Sequence, residues 1–342
     1  MSKSLLITIC ALSLYSTCGL AQCAIQPTAT ASTQTFATAA TGSNPMAFIY
    51  HPGRNFYYSI FGGSAAYGMD VWNATGTLLS TITPIGYDFR GVWWNPNTSQ
   101  LEGSGYNNVS VVSKPLDASG YPVASTVNTI YATANGLSAQ NVGAYDPVNN
   151  EIIYYSAGTI KRVSRATNAT ISSMAITGLP ATTATINSNV VLYTGCAGKE
   201  YALYNSTTKA VYFISRATNA YVGTSQLPAT AAANASFGVA YTRDQLYLFN
   251  YTTRVWNGYT VLAATPTATL APGATAPKLL LSPNPAREQV QVTGASGPVR
   301  LLDMTGRIVR EQPANSPLLV KDLAAGIYLV QSGASTARLA IE

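Results

Sequence analysis

The chain has 342 residues, 19 Lys/Arg, 13 Asp/Glu and a formal net charge of +6, with room for one large domain and one small one. Charged residues make up only 9% against a hydrophobic share of 47%; the polar surface therefore falls to Thr, Ser, Asn, Gln and Tyr, a composition unlike that of a disordered chain. The positive excess is thin, eleven Lys/Arg against eight Asp/Glu in residues 22–277 and seven against five in residues 278–342. With no like-charge run to track a phosphate backbone, nucleic acid is not expected as a partner.

The N-terminus reads as an export signal over residues 1–21. Lys3 supplies the positive region, Leu5 to Leu20 is mostly apolar, and Gly19-Leu20-Ala21 offers small residues for cleavage before Gln22. The segment is too short for a membrane anchor, which takes ~20 apolar residues, and no later stretch qualifies. Cys10 and Cys18 leave with the signal, so the mature chain keeps Cys23 and Cys196. Outside the cytoplasm such a pair is a candidate disulfide, worth roughly 4–5 kcal/mol by loop entropy. A rival reading takes Leu20-Ala21-Gln22-Cys23 as a lipid-attachment site, for which Gln22 is a poor fit.

Residues 22–262 contain an internal repeat. Asn73-Ala74-Thr75-Gly76 returns as Asp117-Ala118-Ser119-Gly120, Arg165-Ala166-Thr167-Asn168 and Arg216-Ala217-Thr218-Asn219, at spacings of 44, 48 and 51 residues. Each copy follows a β-rich run and ends in Gly or Asn, the residues that accept a left-handed turn. A second landmark runs about twenty residues ahead: His51-Pro52, Asn95-Pro96 and Asp146-Pro147 after AFIY, GVWW and VGAY, with VVLYTG and GVAYTRD holding the corresponding places later. Each unit reads as four short strands, and a period in the forties predicts an all-β fold, a β-propeller of five or six blades. A parallel β-helix has shorter repeats. Thr33–Ala40 is expected to close the ring by pairing with the last unit. The run 263–277, AATPTATLAPGATAP, reads as a linker.

Residues 278–342 alternate as short strands and predict a small antiparallel β-sandwich. Pro283-Asn284-Pro285 fixes an entry turn. Asp303 to Gly306 turns a hairpin, with Asp303 accepting backbone N–H groups and Gly306 supplying positive φ. Leu323-Ala324-Ala325-Gly326 is a second turn, in which Gly326 is again expected at positive φ. The series PNP, L-x-D-x-x-G-R-x-V, L-x-x-G-x-Y-x-V and a terminal apolar strand resembles the C-terminal sorting domain of type IX secretion cargo in Bacteroidota. The resemblance implies that Pro283, Asn284, Pro285, Asp303, Gly306, Arg307, Gly326 and Tyr328 form the sorting motif. It also implies recognition by the type IX machinery at the outer membrane, and an extracellular or cell-surface destination. Leu281-Ser282 stands where an aromatic often precedes the motif, and Arg338 alone represents the terminal basic residues.

The larger domain is poor in chemistry. His51 is its one histidine; sister units place Asn95 and Asp146 there, so a turn-capping role accounts for it. No histidine-based zinc site can be assembled and no cofactor is implied. Asp88, in Gly86-Tyr87-Asp88-Phe89-Arg90-Gly91, interrupts the repeat and is a candidate for a central pocket with Arg90, Trp93 and Trp94; a loop ion pair with Arg90 is the plainer alternative. Trp72, Trp93, Trp94 and Trp256 are candidates for stacking on sugars or for packing between blades. Trp93 and Trp94, adjacent in a strand, must face opposite sides. The expectation is a non-catalytic binding or adhesion module for a glycan or surface protein. The alternative is a secreted carbohydrate-active or other hydrolase using two of Asp88, Glu102, Glu151 and Glu200.

Overall fold

The computed structural model describes residues 23–180, 183–264, 279–295, 297–303, 307–314, 316–332 and 335–342. The export segment, the linker from residue 265 on, and Gly306 lie outside them. The chain divides into two compact units, Met1–Thr265 and Pro266–Glu342. The described residues are strands and turns, with short 3-10 turns at Tyr106–Asn108 and Thr183–Thr185.

Turn chemistry and two-residue alternation divide the first unit into antiparallel sets. The first is Asn44–His51, Phe56–Gly62, Met69–Asn73 and Leu78–Ile82; the second is Phe89–Asn95, Gln100–Gly105, Val111–Lys114 and Asn128–Tyr131. The third is Ala144–Asp146, Glu151–Ser156, Thr159–Ser164 and Thr170–Ala175, and the fourth Leu192–Tyr193, Tyr201–Asn205, Ala210–Ile214 and Tyr221–Gln226. The last is built from both ends of the unit: Val239–Thr242, Gln245–Asn250 and Val255–Ala264 are completed by the N-terminal strand Cys23–Ala37, antiparallel to Val255–Ala264. A single parallel pairing, Thr28 with Gln226, joins the last two sets into one eight-stranded sheet. The strand closing the last set thus runs Cys23–Ala37, not Thr33–Ala40. Its Thr/Ala-rich first half carries no apolar alternation to announce it.

Hairpins follow one recipe. The side chains of Asn95, Asp146, Asn205 and Asn250 each accept a hydrogen bond from the backbone N–H two residues on. The left-handed position falls at Ser99, Asn150, Lys209 and Arg254. In the repeat turns it falls at Gly76 (φ 88°), Gly120 (φ 90°), Asn168 (φ 58°) and Asn219 (φ 55°), the positions where Gly or Asn recurs in the sequence.

The first strands of the sets pack one on the next in a closed circuit: Asn44–His51, Phe89–Asn95, Ala144–Asp146, Leu192–Tyr193, Val239–Thr242, and back to Asn44–His51. Between the sets lie separate apolar clusters. Phe48, Tyr57, Trp72, Phe249 and Trp256 fill the junction of the last set with the first, where Phe48 stacks on Tyr57 and Trp256, both at 5.2 Å between ring centroids. Fully buried Tyr57, Tyr58, Tyr154, Tyr155, Tyr201, Tyr204 and Tyr247 show where much of the tyrosine goes: these rings fill the gaps between sheets.

Cys23 and Cys196 are joined by a disulfide, with Cα atoms 6.0 Å apart. It fastens the start of the N-terminal strand to the loop between Leu192–Tyr193 and Tyr201–Asn205.

In the second unit, Leu280–Ser282, Gln289–Thr293 and Leu318–Leu319 form one sheet. Ile308–Gln312, Val299–Leu302, Gly326–Ser332 and Ser335–Ile341 form another. They share one apolar cluster that includes Val290, Leu301, Leu318, Val330 and Leu339. Asn284 grips one edge of the last strand at two points, its Nδ2 donating to Arg338 O (2.8 Å) and its Oδ1 accepting from Ala340 N–H (2.9 Å). Asp303 accepts from the Arg307 backbone N–H and Nε, both at 3.1 Å. Tyr328 donates its hydroxyl to Ala324 O (2.9 Å). Gly326 departs from expectation. It opens a strand, paired with Ile341, is not among the positive-φ glycines, and a Cβ there would meet only Tyr328 and Ala324 at 3.8–4.0 Å.

Candidate functional site

The circuit of first strands encloses a cavity of about 260 Å3, lined by residues from all of those strands. Its walls are apolar side chains such as Met46, Ile49, Val92, Val142, Val190 and Val239. Toward the hairpin end of each strand the lining becomes aromatic, with Tyr50, Trp94, Tyr145, Tyr193 and Tyr241. These occupy one equivalent position, just before His51, Asn95, Asp146, Thr194 and Thr242. Alternation along a strand turns that position toward the preceding sheet in every set, so Tyr145 packs with Trp93 of the second sheet and Tyr193 in the cluster of the third. The result is a collar of five aromatics.

Individual fixings differ. Tyr145 is buried and held at its hydroxyl, donating to Asn150 Oδ1 (2.8 Å) and accepting from Asn97 Nδ2 (2.9 Å). Tyr50 donates to Asn55 (2.7 Å), and the Arg243 guanidinium lies 4.8 Å from its ring centroid. Trp94 is half-buried with His51 stacked on it at 3.8 Å. Burial pushes the Tyr193 and Tyr241 hydroxyls up from their ordinary value, so these two stay neutral at physiological pH.

Among the described residues the lining holds no Asp, Glu, Lys, Arg or His. Asp88 and Arg90 are not part of it: they sit at the start of the strand that ends in Trp94 and Asn95, and pair with each other at 2.5 Å. Asp88 also accepts from Gly63 N–H (2.6 Å), and Arg90 donates to Gln140 (2.6 Å). Trp93 and Trp94 both border the cavity and face opposite sides. Trp93 is 5% exposed and donates its indole N–H to Glu102 (3.3 Å). Trp72 and Trp256 are buried, their indoles donating to Ala37 O and Ser59 Oγ; neither can stack on a ligand.

Of the other candidate acids, Glu102 and Glu151 are tied to the next set and Glu200 to turns of its own. Glu102 takes a two-pronged bond from Arg165 at 2.7 and 2.8 Å. Glu151 binds Arg216 at 2.7 Å, and Glu200 accepts from the Gly198 and Arg216 backbone N–H groups. His51 does not cap its turn through the imidazole. The Arg54 and Asn55 N–H groups go to its backbone carbonyl, Nδ1 is buried without a partner, and burial lowers its pKa. Among the described residues no group of three or more His, Cys, Asp or Glu could hold a metal ion, and no helix is long and apolar enough to cross a membrane.

No family model matches the chain, and no curated protein matches it. Solved structures do. The glutaminyl cyclase of Myxococcus xanthus aligns at 11% identity over 70% of this chain and 99% of its own, with a TM-score of 0.48. The β-propeller domain of Cps50 (Swd1) from Myceliophteria thermophila aligns at 10% over 64% and 84%, with a TM-score of 0.35. PorZ of Porphyromonas gingivalis, described as a surface component of the type IX secretion system, aligns at 15% over 89% and 46%, with a TM-score of 0.29. Likeness at this level carries nothing about function to this chain.

The collar is the feature that sequence reasoning missed. Its signal is present: the residue before each landmark is Tyr, Trp, Tyr, Tyr and Tyr. Aligning the five landmarks, instead of ranking single tryptophans, would have exposed it.

Proposed function

We propose that this chain is an exported binding module: a five-bladed propeller joined by a linker to a small β-sandwich that serves as a type IX sorting domain. Its destination is the outer-membrane surface or the medium. The circuit of five first strands supports the blade count, the N-terminal strand completing the last blade in this reading. The sorting role rests on the motif series, in which Asn284 couples the opening motif to the terminal strand and Asp303 with Arg307 shapes the central turn.

One observation favours binding over hydrolysis. The cavity between the blades has no charged side chain on its lining, while Glu102, Glu151 and Glu200 are each committed to bonds elsewhere. Glycoside hydrolysis needs two free carboxyl groups ~5–10 Å apart across a shared site. The test is a glycan-array and cell-adhesion assay on the mature chain, run beside a polysaccharide-turnover assay. Retention without turnover is expected; turnover that tracks enzyme concentration would overturn the reading.

A further inference from the structure

We propose that the central cavity takes one neutral sugar ring, the end of a glycan chain, seated against Trp94 and the collar tyrosines. This rests on the binding-module reading and narrows it to a ligand class. Charge comes first. A carboxylate or ammonium entering the cavity would lose its hydration and meet no counter-charge on the lining. Anionic and cationic ligands are therefore disfavoured.

Polarity comes second. Each first strand is an edge of its sheet, bonded on one side to its own second strand. The opposite edge keeps backbone N–H and C=O groups without a sheet partner, apart from contacts such as Val142 N to Asn189 O, Gly238 N to Pro45 O and Tyr50 N to Thr242 Oγ1. A pure hydrocarbon would bury those groups unpaired, whereas sugar hydroxyls can bond them.

The collar supplies the third element. Aromatic side chains present an apolar face beside a polar tip, which suits the C–H face and hydroxyl rim of a sugar. His51 takes Trp94 on one side, yet Trp94 remains only half-buried, and its indole N–H is buried without an acceptor. Size sets the limit: about 260 Å3 lies under the ~300–1,000 Å3 of sites for drug-sized ligands. It suits a single ring, not a stretch of chain.

The experiment is isothermal titration of the mature full chain with glucose, galactose, mannose and N-acetylglucosamine, and with glucuronate and glucosamine as charged counterparts. At least one neutral sugar should bind with millimolar affinity, and the charged counterparts about tenfold more weakly or not at all. Trp94→Ala should weaken binding about tenfold, and Trp94→Phe less, since a ring remains. Ala144→Leu, which enlarges a side chain that lines the cavity and also packs on the cluster between the third and fourth sets, should abolish binding while the chain still melts cooperatively. Leu79→Ala, on an outer strand, should change nothing. Equal binding of charged sugars, or binding that survives both Trp94→Ala and Ala144→Leu, overturns the proposal. A chain that adheres to a surface protein but ignores every sugar overturns the sugar and leaves the module reading standing. Hydrolysis of the sugar overturns the module reading itself.

Discussion

Asp70 shows how a single buried carboxylate fastens two segments. It is fully buried and accepts from the Ala39 and Ala40 N–H groups at 3.0 and 3.1 Å and from the Thr38 and Thr81 hydroxyls. It thus anchors the chain leaving the N-terminal strand to the first sheet. Asp70→Ala would leave two backbone donors with no acceptor, and should cost about 2–4 kcal/mol in a urea titration at neutral pH. Glu102 is a different case. Burial alone would raise its carboxyl, but the bonds from Arg165, with help from Thr98, outweigh that and hold it below the usual carboxylate range. A carboxyl lowered in the folded state stabilises fully at neutral pH. That contribution fades as pH falls through the lowered value. Arg165→Met, which strands a buried charge, should cost about 3–5 kcal/mol at neutral pH. The deficit should shrink in acid, where Glu102 takes a proton; comparing urea midpoints at neutral and acid pH reads it out.

At the scale of elements, the N-terminal strand and its disulfide carry the closure of the ring. The bridge constrains a loop with a sequence separation of 173. Cys196→Ser should lower stability by about 4–5 kcal/mol in the loop-entropy account, measured as a loss of unfolding free energy in a urea titration whose slope steepens, because the uncrosslinked unfolded chain exposes more surface. The hairpins were legible in advance because their chemistry is local. Asn73, Asp117, Asn168 and Asn219 announce turns by residue type, and the structure puts the left-handed positions there or within three residues. The closing strand was half legible: its pattern of mostly exposed Thr, Ser and Gln has no apolar period, and only pairing with the far end of the unit defines it. Gly326 misled because L-x-x-G suggests a tight turn, whereas this glycine already pairs across the sheet with Ile341. Asp88 offered two readings, a pocket residue or a loop ion pair with Arg90, and the structure holds the ion pair. The collar was legible only as an aromatic recurring before each landmark; that these residues, some fifty positions apart, surround one cavity follows only from the closed circuit of strands.

The whole molecule consists of two compact units, for which separate tasks are proposed. The apolar clusters of the first are built entirely from its own residues, so it should fold without the second. The second should act as an address. The measurement that tests this most directly is cell fractionation after deleting residues 278–342 in a host that possesses type IX secretion machinery. The account predicts a folded, disulfide-bonded propeller held in the periplasm, with surface delivery lost. It also predicts that the same segment with its linker carries an unrelated signal-bearing protein outward. Unchanged surface delivery of the deleted chain would contradict it.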